Sequence, residues 1–208
     1  MIKKVIGLYF SPVEESIQVI ESIAEEVAAK LNEEDCCDVH CEFYDFGAIL
    51  MNDGMIFDNE SIVVIGAPAV NGKIPMPCLK LMQLLEGNDT MAIVVVTYAG
   101  TTYGRALKDL YTFTEMRGFK VISAAAFVAR VEIGGVWKKV IESRPDARDF
   151  DMMTTFGKIS GRKIRRLGGC DVELMQVKPA PLTIGRGKRT VAIAVVGRIK
   201  RKEPEWFI

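Results

Sequence analysis

Thr90–Tyr98, TMAIVVVTY, is the stretch that decides the fold. Its centre is apolar without alternation and rich in β-branched residues. That pattern fits a strand covered on both faces, in the middle of a parallel sheet, rather than one with a wet side. Ser61–Ala67 (SIVVIGA) repeats the pattern upstream, and Lys4–Phe10 and Lys120–Val128 repeat it toward the two ends; Val39–Phe46 reads as a fifth strand.

Helical periodicity fills the intervals. Val13, Ile17, Ile20, Ile23, Ala24, Val27 and Leu31 recur at steps of three and four, which predicts a helix over Val13–Leu31. Pro75–Leu85, with Leu79, Met82 and Leu85 inward, and Tyr103–Arg117, stopped by Gly118, read as further helices. Asp146–Leu167 is the last, increasingly basic toward its end, and residues 129–147 read as irregular. Alternating strands and helices with right-handed crossovers predict a doubly wound α/β sandwich, with helices on both faces of a five-stranded parallel sheet. Ligands of such sheets bind beyond the carboxyl ends of the strands, so the informative loops follow Phe10, Ala67 and Tyr98.

The expected organisation is one domain over residues 1–167 and a basic extension over 168–208, in which Thr190–Ile199 is β-prone. That segment either extends the sheet or pairs with another copy as an exchanged arm, so a homo-oligomer is among the expected assemblies. Net charge is zero, yet residues 158–208 hold 13 Lys/Arg against 4 Asp/Glu, and residues 1–157 hold 14 against 23. The extension either complements the acidic body or meets an anionic partner. No nucleic-acid recognition motif accompanies the charge, so nucleic acid is not the expected partner.

No apolar run reaches the roughly 18 residues of a membrane span, and the start, Met1-Ile2-Lys3-Lys4, leads into a strand rather than a secretory signal. A cytoplasmic protein is expected. The five cysteines, Cys36, Cys37, Cys41, Cys78 and Cys170, contain no CxxC spacing and are read as reduced thiols. The single histidine, His40, lies in an alternating run and is read as a strand residue rather than a base.

Several segments carry a resemblance: Lys4–Phe10 followed by Ser11-Pro12, VVIGAPAVNGKIP (63–75), VVVTYAGTTYGRALKDL (94–110), GFKVISAAAFVAR (118–130) and Arg144–Ile159. Together they resemble the flavodoxin-like domain of EFR1-type ferredoxins, which join such a module to a two-cluster ferredoxin. The resemblance covers roughly residues 3–165. It implies a flavodoxin-like fold, an FMN cofactor and electron transfer. Carried over residue by residue, it implies phosphate contacts from Ser11 and Ser16, and ring contacts from Pro68, Asn71, Gly72, Tyr98, Gly100, Thr101 and Tyr103.

The sequence departs from that family in three places. No cysteine run able to ligate a cluster is present, so no iron–sulfur centre is expected. Electrons would then come from a separate redox partner protein or a nicotinamide cofactor. The phosphate loop, S-P-T-G-T-T in the family, reads Ser11-Pro12-Val13-Glu14-Glu15-Ser16, placing two carboxylates where an anion is expected. Val70 stands where the family often has Tyr. The alternative is therefore a flavodoxin-like fold that has lost FMN and acts as a binding or assembly module through its basic tail. Glu14 and Glu15 also suit a helix amino end without any ligand, and Thr101 or Thr102 also reads as a helix cap.

Overall fold

The computed structural model describes residues 2–10, 13–35, 38–51, 54–99, 102–129 and 144–167, with the backbone at 172–174, 192–194 and 199–201. The five expected strands form one parallel sheet. They are β1 (Lys4–Tyr9), β2 (His40–Asp45), β4 (Ser61–Ala69), β6 (Met91–Tyr98) and β7 (Lys120–Val128), in the order β2-β1-β4-β6-β7. Two short strands, β3 (Met55–Phe57) and β5 (Leu85–Gly87), pair with each other outside it. A three-residue strand in the extension, β9 (Ala192–Ala194), lies antiparallel on β7, and β8 (Val172–Leu174) pairs with β10 (Ile199–Arg201).

The all-apolar centre of β6 is explained by what covers it. Ala92, Val94, Val96 and Tyr98 face one core, with Leu107 and Leu110 of α4 (Ala106–Met116), Cys78 and Met82 of α3 (Met76–Met82) and Phe46 of α2 (Phe46–Met51). Ile93 and Val95 face the other, with Ile20, Ile23 and Val27 of α1 (Glu14–Asp35) and Met153 and Phe156 of α5 (Ala147–Leu167). Phe127 and Phe156, both fully buried, meet edge to face at 6.0 Å.

Three details correct the sequence reading. Phe46 opens α2 instead of ending a strand, and Leu85 lies in β5 instead of closing a helix. Helix α4 begins at Ala106 rather than Tyr103. Elements α2 and β5 are short, and their form is set by the core they cap rather than by local periodicity, while Gly104 (φ 53°) holds the residues before Ala106 out of α4. His40 is an exposed residue of β2 whose Nε2 lies 3.1 Å from Glu42 Oε1, in keeping with a strand position. Burial raises the Cys41 thiol to about 11 and the Cys78 thiol to about 12, so neither is a thiolate at neutral pH. Cys36, Cys37, Cys170 and residues 130–143 lie outside the described residues.

The register of β6 on β7 slips between Ala92 and Ile93, whose partners are Val121 and Ser123, leaving Ile122 as the extra residue of a bulge. Its carbonyl accepts a hydrogen bond from Lys163 Nζ of α5. Burial lowers Lys163 to about 8. Between about 8 and its ordinary 10.5 the unfolded chain therefore binds more protons than the folded one, and stability rises with pH across that window. Lys163→Met should abolish that rise, as read from urea midpoints at pH 7.5 and 10.5; an unchanged pH slope would contradict the assignment.

Candidate functional site

The chain leaves β1 to one side, through α1 to β2, and returns to the other side at β4. This is the topological switch point, where open α/β sheets hold ligands. A narrow hollow, too small for a water molecule as it stands, lies there, lined by Tyr9, Phe10, Ser16, Ile20, Gly66, Ala67, Pro68 and Thr97.

The floor of the hollow is polar at one point. Ser16, in the first turn of α1, and Thr97, near the end of β6, are each 2% exposed, and Ser16 Oγ donates to Thr97 Oγ1 at 3.2 Å. The Ser16 and Ile17 amides both reach Val13 O, at 3.0 and 3.1 Å, as the helix ladder starts. Of the two carboxylates, Glu14 is exposed and accepts a hydrogen bond from Gln18 Nε2 at 3.2 Å, one turn further along. That contact draws Glu14 along the helix flank. Glu15 is half-buried. On the near side Phe10 packs on Phe46 with ring centroids 4.0 Å apart.

The far side is built from two interlocked loops. After β4, Val70 and Lys73 exchange backbone hydrogen bonds at 2.9 and 3.1 Å around Asn71 (φ 52°) and Gly72 (φ 74°). Two central residues with positive φ define a type I′ turn, for which Asn-Gly is the preferred sequence. After β6, Gly104 (φ 53°) presses its backbone against that turn, and the Arg105 amide donates to Gly72 O at 2.9 Å. A Cβ on Gly104 would sit 2.6 Å from Gly72 O, so only glycine permits the approach. Gly104→Ala should cost about 1–3 kcal/mol and part the two loops. Thermal unfolding checks the stability and amide exchange at Arg105 checks the contact; retained protection at Arg105 would overturn it.

The expected site residues divide accordingly. Ser16 and Pro68 meet at the hollow, while Asn71, Gly72 and Tyr103 belong to the interlocked loops; Ser11, Gly100 and Thr101 lie outside the described residues. Tyr98 is buried and meets Tyr103 edge-on at 5.5 Å, so the half-buried Tyr103 is the more accessible ring. Burial raises both phenols above their ordinary value. Thr102 Oγ1 accepts from the Gly104 amide at 3.0 Å, making a local turn rather than the cap of α4, which starts after Arg105 without a side-chain cap.

The sequence reading did not single out Thr97 or the Arg144–Asp149 pair. Thr97 leaves a faint signal as a lone hydroxyl near the end of an apolar run. Asp149 is 1% exposed and receives both arms of the Arg144 guanidinium. Asp149 Oδ2 accepts from the Asp146 amide at 2.8 Å, and Asp146 Oδ1 accepts from the Asp149 amide at 3.1 Å, a reciprocal cap on α5. Among the described residues no group of three or more His, Cys, Asp or Glu is placed to hold a metal, and no helix is long and apolar enough to cross a membrane.

Comparison with solved structures agrees with this topology. The chain is similar to a flavodoxin from the domain Archaea (14% identity, TM-score 0.54, covering 78% of this chain and 99% of that one). It is also similar to an oxidoreductase from Corynebacterium diphtheriae (12% identity, TM-score 0.55, covering 80% and 99%). It aligns with part of rubredoxin oxygen:oxidoreductase from the anaerobe Desulfovibrio gigas (15% identity, TM-score 0.51, covering 80% of this chain and 37% of that one). At these identities the likeness shows the fold, and the fold is flavodoxin-like. No family model matches the chain, and no curated protein does.

Proposed function

We propose that the chain is a flavin mononucleotide-binding redox protein of flavodoxin-like fold, related to the flavodoxin-like domain of EFR1-type ferredoxins and working in the cytoplasm without an iron–sulfur centre of its own. The observation that carries this reading is the hollow at the switch point of β1 and β4, beside the amino end of α1. A helix amino end attracts a phosphate through its amides and dipole.

The residues fit such a group on one count. The exposed Glu14 is drawn along the helix flank by Gln18, which lessens its repulsion of an anion. Ser11 and Ser16 would hold the phosphate. Pro68, Asn71, Gly72, Tyr98, Gly100, Thr101 and Tyr103 would border the ring, with Tyr103 offering the accessible aromatic surface. Bound flavin would supply reversible electron transfer, and the chain's own groups would orient it and limit its contact with water. Electrons would arrive from a redox partner protein or a nicotinamide cofactor.

The second reading, a fold that has lost its flavin and serves in binding or assembly through the basic extension, has its own observation. The Ser16 hydroxyl is turned toward Thr97, and two carboxylates occupy the first helical turn. Titration of the purified protein with FMN separates the two. The first reading expects an absorbance band near about 450 nm that stays with the protein on gel filtration, at one flavin per chain. A protein that remains colourless in excess FMN supports the second.

A further inference from the structure

Asn71-Gly72 is the one Asn-Gly dipeptide in the sequence. Asparagine is thermolabile, and most of all before glycine, whose missing Cβ lets its amide nitrogen turn back on the asparagine side chain. The Gly72 nitrogen attacks Asn71 Cγ. The new N–C bond closes a five-membered imide, and the Cγ–Nδ2 bond breaks as ammonia leaves with the displaced proton. Water then opens the imide at either carbonyl, giving aspartate or isoaspartate. Asn71 is exposed, so water reaches it freely.

The conformation opposes the first step. Asn71 has φ 52°, and the left-handed region pairs such a φ with a ψ of about +47°. At that ψ the Gly72 nitrogen stands nearly opposite Asn71 Cβ across the Cα–C bond, whereas the imide needs both on the same side. Rotation of the Asn71–Gly72 peptide is resisted from two directions. Val70 and Lys73 hold the turn with their paired backbone hydrogen bonds, and Gly72 O is held by the Arg105 amide at 2.9 Å. Gly104 lies so close that a Cβ on it would sit 2.7 Å from Gly72 Cα.

We propose that Asn71 is a spontaneous deamidation site kept dormant by the interlocked loops after β4 and β6, and that it reacts only from the state in which they have parted. The change is one-way. Isoaspartate inserts a methylene into the main chain of a two-residue turn. Val70 and Lys73 then lose the register of their paired bonds, and Gly72 O is carried off the Arg105 amide. A chain that reacts while open does not close again.

The test follows the Asn71 peptide by mass spectrometry while the full chain stands at neutral pH. The native chain should convert at least about tenfold more slowly than the chain unfolded in urea, a ratio equivalent to about 1.4 kcal/mol of local opening. Gly104→Ala should remove most of that protection, and Asn71→Gln should abolish the mass gain. Across sub-denaturing urea the native chain's conversion should rise in step with amide exchange at Arg105, a measurement that stands even where Gly104→Ala does not fold. The isoaspartate form, separated by ion exchange, should have lost protection at Arg105. Equal rates in the native and unfolded chains, a folded Gly104→Ala that converts no faster, conversion indifferent to Arg105 exchange, or an isoaspartate form still protected at Arg105 would each overturn the proposal. None of these measurements needs a bound flavin.

Discussion

Asp149→Ala should destabilise the fold by about 3–5 kcal/mol, as measured by urea unfolding. The reason lies in what remains. The Arg144 side chain is 9% exposed, and with Asp149 gone its guanidinium is a buried charge whose bidentate partner is missing. Asp146 Oδ2, at 3.6 Å from Arg144 Nε, is on a far more exposed residue and compensates little. The same substitution removes half of the reciprocal cap on α5, since Asp149 also accepts from the Asp146 amide. Asp149→Asn keeps the shape and one acceptor oxygen and should cost less. Replacing both partners, Arg144→Met with Asp149→Leu, should recover much of the loss, because the uncompensated charge disappears with its counterion. A loss for Asp149→Ala within about 0.5 kcal/mol of the native protein, the ordinary range of surface changes, would show that the pair is not buried in solution.

The second large effect concerns affinity. Glu15→Thr with Glu14→Gly should tighten FMN binding, by up to about a hundredfold at low salt. A carboxylate about 6 Å from a phosphate charge costs roughly 3 kcal/mol at an effective dielectric near 20, and that energy corresponds to about a hundredfold in affinity. The two positions should contribute unequally. Glu14 is exposed and held by Gln18, so Glu14→Gly should give only a few-fold gain, while the half-buried Glu15 is less screened and should supply most of the change. The gain should shrink as salt is added. Stability should move the other way, by about 0.3–1 kcal/mol per carboxylate, because each interacts favourably with the amino end of α1. Affinity unaltered by either change would mean that no phosphate sits there.

The fold was legible where burial was two-sided. β4 and β6 lie between two cores, and their unbroken apolar runs announced it. The long helices α1 and α5 showed themselves by period. α2, β3 and β5 are too short to establish a period, and each takes its form from neighbours: Phe46 from Phe10, and Gly87 from the Arg117 carbonyl. The site was legible in outline and not in detail. The three loops could be placed from the strand ends alone. The pairing of Ser16 with Thr97 spans 81 residues of sequence, and nothing local to either residue announces it. Asn71-Gly72 shows the opposite case. The dipeptide is itself a turn signal, yet the resemblance led it to be read for contact with a ring, and the structure displays its conformational role.

The apposition of Gly72 and Gly104 bears on how anything enters the crevice. Fastened backbone to backbone, the loops after β4 and β6 make a single stiff jaw. Neither half yields to an incoming molecule without dragging the other. A ligand of the proposed kind would meet, on the facing bank, the Phe10–Phe46 pair, which among the described residues no such backbone contact fastens to the jaw.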